Sequence, residues 1–345
     1  MGVAITEILV MKQIEIDDLS HKTLIVDTPL WLYQFLSSIR QRDGTLLTDS
    51  KGNVTSHLTG LLSRVTNLME KQIKLAFVFD GEPPALKRKT LEKRKEIKQE
   101  AQKEYEKAAE KGDEELMKKY AQRTSRLTDS MIEEAQNLIE ALGLPVIQAP
   151  TEAEAQASHI VRKGDAFALA TNDADALLFG ATKIIRNLNM VGKKKKSNTL
   201  AYETIQPDLI VLEENLKHLG ITREQLIALA MLVGTDFNPN GIKGIGPKNA
   251  LKLVKKHNDN FELLFREVKW GEFFDYAWQE VFDLIKNMPV SNDYNLKWKN
   301  PDEDKIIELL VGRHDFSEER IRSQIGRITE QSTKRAQKGL GNYFG

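Results

Sequence analysis

Seven acidic residues, Asp27, Asp80, Glu152, Glu154, Asp173, Asp175 and Asp236, stand out for where they fall in the chain. Four short apolar, β-rich runs end in or just before an acid. They are Thr23-Leu-Ile-Val-Asp27, Leu75-Ala-Phe-Val-Phe-Asp80, Leu144-Pro-Val-Ile-Gln-Ala-Pro150 ahead of Glu152, and Phe167-Ala-Leu-Ala-Thr-Asn-Asp173. Glu152 and Glu154 can both reach one cation, and so can Asp173 and Asp175; Asp236 follows an apolar helical stretch. Any one of these acids, taken singly, could be a helix cap. Charge placed repeatedly after buried strands repels itself unless cations bind there. Carboxylate oxygens suit a hard ion such as magnesium. A pair of such ions about 3.5–4 Å apart lowers the pKa of an attacking water and stabilises a leaving oxygen, which is what phosphodiester hydrolysis demands.

The chain must position those acids, and its composition permits it. Its 345 residues, 41% of them hydrophobic, can bury one large core or two modest ones. There is no cysteine, so neither disulfides nor thiolate zinc sites arise, and the six histidines are scattered singly. A metal here must be held by oxygen. No apolar run approaches the roughly 20 residues of a membrane span, and the N-terminus does not read as a signal peptide. The expected location is intracellular, in cytoplasm or nucleoid. Net charge is zero, but lysine and arginine concentrate at 87–98, 193–196 and 243–256.

Each acid-terminated run is followed by a helix-like segment: 30–40, the charged stretch after Pro84, 154–163 and 175–179. Strands alternating with helices predict an α/β fold with a mostly parallel central sheet flanked by helices. Ligands of such sheets sit beyond the carboxyl ends of the strands, where these acids fall. Residues 181–205 read as a strand pair with the lysine run in its turn, and the chain beyond 206 reads as helices to about 331. The stretch 86–120 is dense in Lys, Arg and Glu with a narrow apolar line, so it projects from the body rather than burying a broad face. The last dozen or so residues lack periodicity and read as a flexible tail.

Lys87 and Arg94, seven apart, share one face of the charged helix after Asp80. On composition alone a solvated charged face is the better account of them. Gly244-Ile-Gly-Pro-Lys-Asn-Ala opens another helix, flanked by Lys243, Lys248, Lys252, Lys255 and Lys256. Glycine backbone and a helix N-terminus can meet a phosphate closely, which together with the lysines reads as a sequence-independent backbone clamp.

Further short motifs run in order along the chain: Met1-Gly-Val, Tyr33-Gln-Phe-Leu, Arg40-Gln, Thr55-Ser-His-Leu, Val78-Phe-Asp-Gly-Glu-Pro-Pro, Ala149-Pro-Thr-Glu-Ala-Glu-Ala, Asp173-Ala-Asp-Ala-Leu-Leu-Phe-Gly, and Gly234-Thr-Asp-Phe-Asn-Pro-Asn-Gly-Ile-Lys-Gly-Ile-Gly-Pro. With these motifs the chain resembles the flap endonucleases of the structure-specific 5′-nuclease superfamily, in their archaeal form. The resemblance implies a PIN-like nuclease domain over 1–330, with N-terminal (1–100) and internal (140–260) regions. It also implies a helical arch at 85–130, a helix–two-turn–helix at 234–257, and C-terminal helices at 261–330.

It further implies two Mg²⁺ ions, with Mn²⁺ able to substitute. Asp27, Asp80, Glu152 and Glu154 would serve chiefly one ion, and Asp173, Asp175 and Asp236 chiefly the other, with sharing between them. Lys87 and Arg94 match the basic pair of the arch through which a 5′ flap threads, with Lys89, Lys93 and Lys98 assisting. Tyr33 matches a residue that stacks on the base at the junction; a core tyrosine is the alternative. Gly2, Arg40, Arg64, Gly234, Lys243, Gly244, Gly246 and Lys248 match DNA-contacting positions, and the glycine turn implies a K⁺ site. Thr28-Pro29 and Ser63 depart from the family pattern and bear on fine DNA positioning.

At the end of the chain, Leu340, Tyr343 and Phe344 fall on one side of a single turn, with Gln337 ahead of them. Apolar side chains on a tail need an external pocket. The resemblance identifies 337–344 as a peptide for the sliding clamp (PCNA), within a tail at 331–345. The implied activity is 5′ flap endonuclease with 5′–3′ exonuclease action, serving Okazaki-fragment maturation and long-patch base excision repair and extending to RNA of RNA–DNA flaps. The expected free state is a monomer. The alternatives are a gap or junction nuclease of the same superfamily, or a non-catalytic clamp adaptor.

Overall fold

In the computed structural model the apolar runs become strands of one sheet. Residues 3–111, 113–121, 124–190, 192–195 and 202–341 are described, with backbone alone at 192–195, 202–204, 330–341 and positions 89, 109, 114, 118, 121 and 189. Nine strands are present among them: β1 (Lys12–Gln13), β2 (Thr23–Asp27), β3 (Lys74–Phe79), β4 (Val146–Gln148), β5 (Ala168–Ala170), β6 (Lys183–Arg186), β7 (Gly192–Lys195), β8 (Tyr202–Ile205) and β9 (Asp208–Val211). Seven form the central sheet in the order β1-β9-β6-β5-β2-β3-β4. Neighbours from β6 across to β4 are parallel, while β9 runs antiparallel to both β6 and β1. The sheet is therefore mixed and mostly parallel.

The α-helices follow in chain order: α1 (Thr28–Ser38), α2 (Ser56–Glu70), α3 (Arg88–Glu110), α4 (Glu114–Ala121), α5 (Asp129–Ala141), α6 (Ala153–Lys163), α7 (Asp175–Leu178), α8 (Leu212–Leu219), α9 (Arg223–Val233), α10 (Pro247–His257), α11 (Phe261–Glu267), α12 (Trp278–Lys286), α13 (Glu303–Ile307) and α14 (Glu318–Gly341). Side chains alternate across the sheet. Ile25, Val78, Leu169 and Ile184 enter a core shared with α6, α7 and α9. Val26, Phe77, Ala170 and Ile185 enter a second core with α1, α2 and α5. Both faces are thus covered, as a parallel sheet requires. No helix among the described residues is long and apolar enough to cross a membrane.

Two expectations need correction. Most of the lysine run is strand rather than turn: Lys193, Lys194 and Lys195 lie in β7, laddered antiparallel with β8, while Lys196 lies outside the described residues. Pairing with a partner strand overrides the turn-like composition. From 331 to Gly341 the backbone is helical, as the end of α14, and residues 342–345 lie outside the described residues. Lys334, Arg335, Ala336, Gln337 and Lys338 are all good helix formers, which suffices to extend a helix already anchored by Ile321 and Ile325.

Candidate active site

The carboxyl edge of the sheet assembles the acids. Asp27 ends β2 and caps α1, accepting the Leu30 N–H. Asp80 follows β3 and accepts the Ala153 N–H at 2.8 Å, which ties it to the start of α6. Gly81 makes that approach possible, because a Cβ there would meet the Ala149 carbonyl oxygen at 2.2 Å. Beyond β4, Glu152 stands at the N-cap of α6 and Glu154 in its first turn. Asp173 lies between β5 and α7 and Asp175 opens α7, with Asp173 accepting the Asp175 N–H at 3.1 Å. Asp175 in turn accepts the Val3 N–H at 2.9 Å, so the N-terminal segment closes one side of the site.

Oxygens of Glu154, Asp173 and Asp175 all lie within 4.8 Å of one another. Glu154 thus stands beside the two aspartates. Their burial is costly. Asp27 is pushed up to about 7, first by desolvation and then by the charges of Asp80 and Asp173. Burial, with Asp173 next, holds both Glu154 and Asp175 well above the usual carboxylate range. Asp173 and Asp80 are raised by burial as well. Asp27, Glu152 and Asp175 are buried, Glu154 and Asp173 half-buried and Asp80 exposed, and an all-oxygen set whose members repel one another fits a hard divalent cation.

Glu152 and Asp236 meet basic side chains. Lys87, just ahead of α3, donates to Glu152 and stands 3.7 Å from Asp236. Arg94 on α3 donates to Asp236, and the Thr90 hydroxyl donates to the Asp236 carbonyl at 2.7 Å. Burial works against the Lys87 ammonium, but Glu152, Asp236 and Asp80 outweigh it and raise its pKa. The basic pair therefore faces the acids directly.

The XPG N-terminal domain model matches residues 2–101, and the XPG I-region model matches 143–236. Flap endonuclease 1 of Pyrococcus abyssi is 49% identical over 344 residues, covering 100% of this chain and 98% of that protein. The chain belongs to the flap endonuclease 1 family. The flap endonuclease of Hyperthermus butylicus is likewise 49% identical, covering 95% of this chain and 94% of the relative. The structure of flap endonuclease-1 from Methanococcus jannaschii superposes with a TM-score of 0.75 at 36% identity, covering 97% of this chain and 100% of that one. The catalytic core of Rad2 in complex with DNA substrate superposes with a TM-score of 0.70 at 25% identity, covering 95% and 100%.

Other positions expected to matter in this flap endonuclease have varied settings. Tyr33 is 39% exposed, with the Lys98 ammonium 4.6 Å from its ring centre, so it is no core tyrosine. Arg40 is engaged within the protein: its terminal nitrogens donate to the Gly44 carbonyl and the Ser125 hydroxyl, both at 2.7 Å. Arg64 is half-buried on α2, and Ser63 lines a cleft of about 800 Å³ with Thr55 and Phe316. Thr28 is fully buried, and its hydroxyl has no hydrogen-bond partner among the described residues.

Gly234 serves close packing, because a Cβ there would meet the Gly241 nitrogen at 2.6 Å. Gly244 and Gly246 face open space beside exposed Lys243 and Lys248 at the start of α10. Gly2, Tyr343 and Phe344 lie outside the described residues, as do the side chains of Lys89, Gln337 and Leu340. One residue escapes the sequence reading altogether. Thr171, at the end of β5, touches both Asp27 and Glu154, and only the adjacency of β5 and β2 reveals it.

Proposed function

We propose that this flap endonuclease hydrolyses its phosphodiester at the carboxylate cluster with two magnesium ions. Asp27, Asp80, Glu152, Glu154, Asp173, Asp175 and Asp236 would hold them, and Mn²⁺ would substitute. When bound, the ions supply the charge that acidifies the attacking water and stabilises the leaving oxygen. The observation carrying this reading is the convergence of Glu154, Asp173 and Asp175 oxygens within 4.8 Å, in a pocket that raises their pKa values.

The protein's own groups do the rest. Lys87 and Arg94 move from Glu152 and Asp236 onto the oxygens of the scissile phosphate, where fixed positive charge favours the transition state. The paired helices α3 and α4 form an arch over the site, and the 5′ single strand passes beneath it. Exposed Tyr33 offers a ring on which a base at the junction stacks, without regard to sequence. The turn at 244–246 and the lysines of α10 form a helix–two-turn–helix that grips duplex backbone, and the turn would also hold a K⁺ ion. Water attacks phosphorus as the P–O3′ bond breaks, leaving a 5′-phosphate.

In the cell this activity serves Okazaki-fragment maturation and long-patch base excision repair, with exonuclease action on nicked ends and cleavage of RNA–DNA flaps. Residues 337–344 dock on the sliding clamp. Removing 337–345 leaves basal cleavage intact and abolishes stimulation by the clamp; unchanged clamp affinity in a pull-down contradicts this. The substrate reading is tested by comparing a double-flap, a nicked duplex and a free-ended duplex, each with magnesium and with chelator. Preferential, chelator-sensitive cutting of the double-flap is expected. Equal cutting of all three substrates would contradict it.

A further inference from the structure

Thr171 is 2% exposed and stands one residue beyond β5. In the parallel pair β2–β5, Val26 lies opposite Ala170, so the next residues along, Asp27 and Thr171, are neighbours across the sheet. Its backbone N–H donates to the Ile185 carbonyl of β6 at 3.2 Å, which fixes the residue from the other side. The hydroxyl meets three groups. It accepts the Asp173 N–H at 3.1 Å, and it lies 3.4 Å from Asp27 Oδ2 and 3.3 Å from Glu154 Oε1. A threonine bonded only to the N–H two residues on would be an ordinary local turn. The two carboxylates, from β2 and α6, go beyond that.

A hydroxyl carries one proton and two lone pairs. With a lone pair taken by the Asp173 N–H, the proton points at Asp27 or Glu154, one at a time. We propose that Thr171 is a positioning residue for the metal centre, holding Asp27 and Glu154 by its proton and the Asp173 loop by its oxygen. Three acids from three elements thereby keep one spacing. This rests on the metal reading above. Groups that orient ligands in this way are worth 10- to 100-fold in metal affinity.

The test is Mn²⁺ binding by electron paramagnetic resonance on the full chain without DNA, with melting temperatures in chelator alongside. The variants are Thr171→Val, Thr171→Ser and Asp175→Asn. Thr171→Val should weaken Mn²⁺ about tenfold or more, while Thr171→Ser, which keeps the hydroxyl, stays within about threefold of the parent. Thr171→Ala replaces the valine variant if that fails to fold. Parent-like binding by the valine variant, or a serine variant as weak as valine, overturns the proposal. If Asp175→Asn also binds as the parent does, the metal reading itself fails. If Asp175→Asn loses Mn²⁺ while Thr171→Val keeps it, only the role of Thr171 falls.

Discussion

The Lys87 ammonium is hydrogen-bonded to Glu152 and stands 3.7 Å from Asp236, so one cation bridges two acids at the mouth of the site. Arg94 adds a second contact to Asp236. Both are placed to exchange a carboxylate for a phosphate. Replacing both with alanine should slow single-turnover cleavage by about a hundredfold or more. Flap affinity in calcium should change little by comparison. A loss confined to the dissociation constant would make this pair a docking surface instead.

The buried acids give stability a pH dependence in the absence of metal. Asp27 ionises near 3.8 when unfolded and is pushed up to about 7 in the fold by burial and its acidic neighbours. Glu154 and Asp175 shift in the same direction. A carboxyl that holds its proton more tightly when folded stabilises fully below its unfolded pKa, and that contribution is lost as pH rises through the folded one. In chelator, melting temperature should therefore fall between about pH 5 and pH 8, and magnesium should raise it more at the higher pH. A magnesium effect equal at both values would contradict this.

Arg40 staples the loop at 44 to the segment at 125 through two hydrogen bonds from a charged, half-buried guanidinium. Arg40→Ala should lower unfolding free energy by about 1–3 kcal/mol in urea titrations. Unchanged stability with weakened DNA binding would return Arg40 to the role of a simple phosphate contact.

The glycine turn separates into packing and open positions. At Gly241, φ is +54° and a Cβ would meet the Leu232 carbonyl at 2.4 Å, so Gly241→Ala should be strongly destabilising. Gly246 has φ −89° and open space, so Gly246→Ala should leave the melting temperature unchanged. If backbone there meets phosphate, the same variant weakens duplex binding, measured by fluorescence anisotropy. Wild-type affinity would remove Gly246 from the interface.

Much of the site is legible in the sequence because strand burial and sheet topology write themselves locally. Asp27, Asp80 and Asp173 each follow an aliphatic run, and parallel strands bring such ends to one edge. What stays hidden depends on distant partners. Thr171 means nothing until Asp27, 144 positions away, lies beside it. Arg40 shows no tie within the protein until Ser125 arrives from the far side of the α3–α4 pair. The lysines of β7 read as a turn because charge density says nothing about the ladder with β8.

The central claim is that the acid cluster performs the cleavage. Asp175, buried among Glu154 and Asp173 and held by the Val3 N–H, is the place to test it. The measurement is single-turnover cutting of a double-flap substrate by Asp175→Ala in magnesium, with flap affinity measured in calcium. Loss of cutting with binding largely retained is the predicted result; undiminished cleavage would contradict the account.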